Sequence, residues 1–289
     1  MMETNNLNNL YQQLEQSIEG EVLRDLTSRR LYATDASIYQ ELPRAVVRPK
    51  NKQDCRTIIK FANQHRMPLI PRAAGTSIAG QCVGNGIVVD VSRHMTKILS
   101  EVTENNTIRV QPGVILDDLN DSTAKNQLEF AHDISTSNRC MIGGMIGNNA
   151  CGSHSILYGT TRDHVIEVET VLSDGTLTTF GPLDQNQLEN KLKKQGLEGD
   201  IYRTVYYAID TNQERIKTDY PKPEIIRRNT GYALDYLANA QPWNQAGKPF
   251  NIAPLICGSE GTLALLTEAT LQLVPVSYTH LTLPTICSV

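Results

Sequence analysis

Two glycine-rich stretches, Pro71-Arg-Ala-Ala-Gly-Thr-Ser-Ile-Ala-Gly80 and Ile142-Gly-Gly-Met-Ile-Gly-Asn-Asn-Ala-Cys-Gly152, carry residue types able to grip an anion through bare backbone. Glycine has no Cβ and reaches positive φ at little cost, so successive N–H groups can turn toward a phosphate. Thr76 and Ser77 add hydroxyl donors to the first stretch. The four glycines of the second, Gly143, Gly144, Gly147 and Gly152, exceed what one structural turn needs. Each stretch lies beside apolar segments, and together they predict one large phosphate-bearing cofactor held from two sides. A third glycine-containing turn sits in Leu255-Ile-Cys-Gly-Ser-Glu-Gly-Thr-Leu-Ala-Leu-Leu-Thr267.

The common nucleotide cradles do not fit. A nicotinamide site wants Gly-x-Gly-x-x-Gly between a strand and a helix, with an acid about 20 residues on. Gly80, Gly84 and Gly86 have the wrong spacing, the second stretch leads toward a hairpin instead of a helix, and Asp174 belongs to the hairpin turn. Gly-Lys-Ser/Thr is absent, so a Walker loop is excluded.

The elements that must position these stretches read as alternating strands and helices. Leu7, Leu10, Tyr11, Leu14 and Ile18 predict an amphipathic N-terminal helix. Ala45 to Pro49 reads as a strand, the Ile58, Ile59, Ala62 spacing as a helix ending near His65, and Pro68 to Ile70 as a second strand. The first glycine stretch therefore follows a strand-helix-strand unit, where α/β units bind ligands. Gly86 to Val91 and Thr107 to Gln111 predict further strands, and Leu116 to Lys125 a helix. Val165 to Leu172, Asp174-Gly175 and Thr176 to Phe180 predict a hairpin. Residues 184–222 are polar and partly helical, and Ala269 to Val274 closes the series as a strand.

Composition narrows the class. The 289 residues are 40% hydrophobic and 20% charged, which suits a globular chain with a real core. A net charge of -4 without a basic, aromatic-interleaved patch argues against nucleic-acid binding. The six cysteines form no Cys-x-x-Cys pair, which argues against a zinc or iron–sulfur site in this stretch. The N-terminus has no secretory pattern, and no apolar run approaches the roughly 18 residues of a membrane span. The expected location is the cytoplasm, or the inner face of a membrane by peripheral contact.

The ordered set Pro71 to Ser77, Gly86 to Ser92, Val110-Gln-Pro-Gly113, Ser135-Thr-Ser137, Ile142 to Gly152, Tyr158-Gly159 and Gly258-Ser-Glu-Gly-Thr-Leu263 resembles the FAD-binding fold of the vanillyl-alcohol oxidase, or PCMH, type. Within that superfamily it is similar to the FAD-linked dehydrogenases of D-2-hydroxy acids (D-lactate, glycolate and D-2-hydroxyglutarate). Ala33-Thr-Asp-Ala-Ser-Ile-Tyr39, Ser92-Arg-His-Met95 and Ser135-Thr-Ser-Asn-Arg139 resemble long members that carry a C-terminal iron–sulfur module.

The resemblance implies an α+β fold of two subdomains, about 31–100 and 101–275, behind an N-terminal helical segment 1–30, with FAD in the cleft between them. Pro71, Arg72, Ala73, Ala74, Gly75, Thr76 and Ser77 would face the pyrophosphate, Ala73 and Ala74 standing where many relatives have two glycines. Asp90 and Ser92 end the adjoining strand and equally fit strand-end capping. Gly113 and Val114 follow, and Ser135, Thr136, Ile142, Gly143, Gly144, Ile146, Gly147, Asn149, Gly152, Tyr158 and Gly159 would line the ribityl chain and flavin ring. Glu260, Gly261 and Leu263 would close onto the cofactor, with Ala264 where glycine is usual. Asn229, Thr230, Gly231 and Tyr232 match a phrase near the flavin and equally fit a helix-entry turn.

His94, His132, His154 and His164 are candidates for proton abstraction or covalent flavin attachment, and each equally reads as a core or surface histidine. No pair has metal-ligand spacing, so no metal is expected and no catalytic residue is assigned. The implied reaction takes a 2-hydroxy acid to the 2-oxo acid, with electrons passed to an iron–sulfur module or quinone-linked acceptor. The substrate-carboxylate arginine and catalytic histidines would belong largely to a C-terminal cap domain. A non-catalytic flavin-binding subunit and a nucleotide-binding module without redox role are the alternatives. Val276-Ser-Tyr-Thr-His-Leu-Thr-Leu-Pro-Thr285 matches the translation of a sequencing-library adapter, so residues 276–289 are expected to be adapter-derived and the gene product truncated.

Overall fold

The computed structural model describes residues 2–222, 224–225 and 231–276, with side chains from Asn9 onward. Asn229, Thr230 and residues 277–289 lie outside the described residues.

The first subdomain contains α1 (Met2–Ser17), β1 (Glu21–Leu23), α2 (Leu26–Leu31), β2 (Ala45–Arg48), α3 (Lys52–Gln64), β3 (Leu69–Arg72) and β4 (Ile87–Asp90). Its sheet runs β1-β2-β4-β3, with β2, β4 and β3 parallel and β1 antiparallel. Every residue of β4 is buried, which explains its unbroken apolar run: a central parallel strand is covered on both faces. α3 starts where the Asn51 side chain accepts from the Asp54 N–H at 2.9 Å, and its apolar stripe buries Cys55, Ile58, Ile59 and Ala62. α1 packs on α3 through Tyr11 and Phe61, ring centroids 6.2 Å apart. Residues 2–30 are therefore built into the first subdomain, β1 included.

The second subdomain continues with β5 (Thr107–Val110), α4 (Leu116–Thr123), β6 (Leu128–Glu129), α5 (Ile142–Asn148), α6 (Ser155–Tyr158), α7 (Thr161–His164), β7 (Val165–Val171) and β8 (Leu177–Phe180). Then come α8 (Gln185–Lys193), α9 (Leu197–Thr211), α10 (Gln213–Asp219), α11 (Leu234–Ala238), α12 (Ala253–Ile256), β9 (Leu265–Gln272) and β10 (Val274–Pro275). The antiparallel sheet runs β5-β9-β7-β8 and packs Val110, Val168, Phe180 and Leu271 into a core with Phe130, Ile142, Tyr202 and Phe250. The hairpin turn places Gly175 at φ +83°, and Asp174 accepts from the Thr176 N–H at 2.8 Å. The polar stretch 184–222 is mostly helical, with Tyr202 and Ile209 supplying its buried face. Val276, the first residue of the anomalous tail, donates its N–H to the Gln127 carbonyl at 3.0 Å.

One element departs from its expected form. Residues 142–148 form helix α5, although the glycines read as an irregular stretch. Each glycine opposes helix formation by about 1 kcal/mol, yet Ile142, Met145 and Ile146 recur at i, i+3 and i+4 and are all buried. Tertiary burial outweighs propensity here.

α3 joins the two subdomains. Lys52 Nζ reaches Glu169 at 3.1 Å and Glu268 at 3.3 Å, and Glu268 also meets Arg109. Arg56 donates to the Gly175 carbonyl at 3.0 Å and Asn63 to the Ser173 carbonyl at 2.8 Å, so the helix rests on the β7–β8 hairpin. Among the described residues no helix is long and apolar enough to cross a membrane.

Candidate cofactor site

Three glycine-bearing segments, distant in sequence, meet in the cleft between the subdomains. The Pro71–Ser77 loop leaves the C-terminal end of β3, with Gly75 at φ +67°. A Cβ built on Gly144 would lie 3.6 Å from the Ala73 Cβ, and one built on Gly261 would lie 2.7 Å from Pro71 Cγ. Glu260 N–H donates to the Gly147 carbonyl and Gly258 N–H to the Ile146 carbonyl, both at 2.9 Å. The end of α5 is thereby tied to the 258–263 turn. Gln81 closes the circuit across the cleft, its side-chain amide donating to Glu260 at 3.0 Å. Glu260 and Gly261 have φ of +53° and +76°, a left-handed pair that costs a non-glycine residue about 1 kcal/mol.

The glycines divide into two kinds. At Gly144 and Gly147 an added Cβ would meet one atom each, at 3.6 and 3.8 Å, which is ordinary contact and leaves room beside them. At Gly143 and Gly152 it would meet Pro112 Cβ at 2.7 Å and the Asp133 carbonyl oxygen at 1.9 Å. Packing within the protein explains the second kind, and room for a ligand the first. The side chains of Ile142 and Ile146 serve the second core, and Val114 is buried beside them. Gly113 lies against the Val91 and Met95 carbonyls, joining the end of β4 to the start of the second subdomain. Thr136 caps a turn through its carbonyl, which accepts from the N–H groups of Arg139 and Cys140; Ser135 precedes it.

Behind the first loop lies a polar network absent from the expectations drawn from sequence. Tyr32, at the end of α2, donates its hydroxyl to Asp90 at 2.6 Å and accepts from Arg48 at 2.8 Å. Asp90 is 1% exposed, and its other oxygen accepts from the Ser92 N–H at 2.8 Å. The Asp90 carboxylate thus faces the strand-end network and braces the loop from below. Arg48 also pairs with Glu21 at 3.1 Å, and Glu21 meets His94 at 3.0 Å, which with Arg48 holds its carboxyl below the usual range.

A second knot supports α5 and the 258–263 turn. Arg162 is buried, its Nε and Nη2 donating to the carbonyls of Pro254 and Cys257 at 3.1 and 2.6 Å, while its N–H donates to the Asn149 side chain at 2.8 Å. Its guanidinium lies 5.2 Å from the Tyr236 ring centroid. Asn149, at φ +48°, ends α5. Tyr158 offers its carbonyl to His164 Nε2 at 2.7 Å, and Gly159 at φ +81° turns the chain into α7. Thr262 donates to the Ser259 carbonyl at 2.6 Å, so the 2.9 Å contact with Tyr232 has the phenol as donor.

The four candidate histidines have different surroundings. His94 belongs to the network behind the first loop, and His154 lies at the start of α6. His132 and His164 are buried together with ring centroids 5.1 Å apart, both edge-on to Phe130. Burial, then the His164 ring, push the His132 pKa down to about 3. Among the described residues no group of three or more His, Cys, Asp or Glu is placed to hold a metal ion.

A cavity of about 400 Å³ adjoins the cradle, lined by Pro71, Val89, Val171, Gly261, Leu263 and Leu265 among others. Its walls also include Ile59, Ala62, Asn63 and Met67, so it lies between α3 and the 261–265 segment, beside Pro71 and not over α5.

Residues 43–181 match the family model described as an FAD binding domain. The chain is 39% identical to a D-2-hydroxyglutarate dehydrogenase of Pseudomonas putida over 260 residues, 89% of this chain and 25% of that protein. It is 38% identical to the Escherichia coli protein of that name, over 92% of this chain and 26% of that one. It is 31% identical to glycolate oxidase subunit GlcD of Bacillus subtilis, over 88% of this chain and 42% of the subunit. The chain spans about a quarter of the length of the D-2-hydroxyglutarate dehydrogenases it matches. A solved alkyldihydroxyacetonephosphate synthase superposes with a TM-score of 0.62 at 18% identity, over 93% of this chain and 42% of that one. The α+β architecture is that of the PCMH-type FAD binding domain, and FAD is its cofactor. The room left at Gly144 and Gly147 and the loop at the end of β3 fit such a dinucleotide.

Proposed function

We propose that this chain is the FAD-holding part of a dehydrogenase that oxidises a D-2-hydroxy acid, of the D-lactate, glycolate or D-2-hydroxyglutarate class, to the 2-oxo acid. The meeting of the three glycine-bearing segments on one cleft supports this reading most strongly, joined to the similarity to proteins named for that activity. The amides of Ala73 to Ser77 hold the pyrophosphate, Gly144 and Gly147 admit the cofactor against α5, and Glu260 to Leu263 close over it. FAD supplies the hydride acceptor at its ring. The protein binds, orients and shields it from water, which converts chance encounter into fixed geometry. The substrate's hydroxyl proton goes to a base outside the assigned residues, in a cap domain of the full-length protein, and electrons leave to an iron–sulfur module or quinone-linked acceptor. The protein works in the cytoplasm or peripherally at a membrane face.

A second reading is a flavin-binding subunit that acts only within a complex, which the similarity to a glycolate oxidase subunit favours. Purification tests both against a plain nucleotide module. A yellow protein with flavin absorbance bands is expected; a colourless one that takes up ATP and refuses FAD would overturn both readings.

A further inference from the structure

The cradle loop holds a cation, Arg72, that forms no ion pair among the described residues. Arg48 pairs with both Glu21 and Asp90, at 3.1 and 3.5 Å, and Arg72 lies next to this set without joining it in an ion pair. Among the described residues no carboxylate lies within ion-pair distance of Arg72, and its one hydrogen bond runs from Nη1 to the Thr34 carbonyl at 2.7 Å. Nε and Nη2 have no acceptor. The group is half-buried inside the loop, since a Cβ on Gly75 would lie 2.5 Å from Arg72 Nη2.

Tyr32 keeps it there. The Arg72 guanidinium carbon lies 5.2 Å from the Tyr32 ring centroid, and a guanidinium over an aromatic face is held by both charge and stacking. The ring is itself fixed, because its hydroxyl donates to Asp90 and accepts from Arg48. Burial, and then the bond to Asp90, raise the phenol's pKa, so it remains a donor. β3 and β4 pair Arg72 with Asp90 in register, so ring, carboxylate and guanidinium sit on one sheet end.

We propose that Tyr32 is a positioning residue that presents the Arg72 guanidinium to the FAD diphosphate. This rests on the FAD reading of the cleft. It adds a fixed positive charge to a cradle otherwise made of amides and hydroxyls, and a planar fork is the donor best matched to phosphate oxygens.

The test is a double-mutant cycle on FAD affinity in the purified chain, read at several salt concentrations, with melting temperature followed by circular dichroism. Tyr32→Leu and Arg72→Gln are each expected to weaken FAD about tenfold, the scale of one charge-assisted contact. The double variant is expected to lose no more than Arg72→Gln alone, because each change removes the same interaction. Both single variants are also expected to flatten the salt dependence of binding, which an uncharged packing role would leave intact. Wild-type affinity and salt slope in Tyr32→Leu, or multiplying losses in the double variant, would overturn the proposal. Should Tyr32→Leu fail to fold, the same cycle with Tyr32→Phe decides, since it keeps the ring and frees it from Asp90. A wild-type chain that binds no FAD contradicts the cofactor reading instead.

Discussion

Individual glycines in this protein answer to different neighbours, and substitution separates them. Gly152→Ala places a methyl 1.9 Å from the Asp133 carbonyl oxygen and is expected to cost upwards of about 3 kcal/mol, measured by urea unfolding. Gly144→Ala meets only the Ala73 methyl at 3.6 Å, inside a helix that alanine favours by about 1 kcal/mol. That variant is expected to melt no lower than the parent while binding FAD more weakly in a fluorescence titration. The sequence displayed all four glycines of this stretch alike; only the packed chain shows which ones have no room for a side chain. His132 carries a pH prediction. Its folded pKa of about 3 lies below the unfolded value of about 6.5, so falling pH protonates the unfolded chain first. Its contribution is fully present above about pH 6.5 and is lost as pH falls toward 3. His132→Phe, which keeps a ring against Phe130, is expected to flatten stability across that window; unfolding curves with an unchanged pH slope would sink the assignment.

Elements were legible where a single pattern dominated. The alternation of β7 and β8 around Asp174-Gly175, the apolar run of β4 and the i, i+3, i+4 stripe of α3 all form as their residues predict. α5 was hidden because its glycines speak against a helix while its burial decides for one. The network of Tyr32, Arg48 and Asp90, the Arg162 knot and the Gln81–Glu260 bridge join residues up to 179 positions apart. Such pairs leave no local spacing to read. α3 is the element on which cleft geometry depends most. Lys52→Met leaves Glu169 and Glu268, each 12% exposed, without their shared cation. Lys52 is 43% exposed, which discounts the loss to about 1–2 kcal/mol. Reduced stability with weakened FAD binding is the expected outcome, and a variant that melts as the parent does would remove α3 from that role.

At the scale of the whole molecule, two cores meet along a cleft, and Val171 and Leu265 of the second sheet pack into the first core. The parallel sheet delivers the loop at β3, and the antiparallel sheet carries α5 and the 258–263 turn to meet it. The order of motifs along the chain pointed to this arrangement, because the first glycine stretch follows β3 and the third precedes β9, while the second forms α5. The central claim is that one cofactor touches all three segments at once. Hydrogen–deuterium exchange of the purified chain, with and without FAD, tests it most directly. FAD is expected to slow exchange together in residues 73–77, 143–148 and 259–263, while α8 and α9 exchange as before. Protection confined to one of these segments, or falling on α8 and α9 instead, would contradict the account.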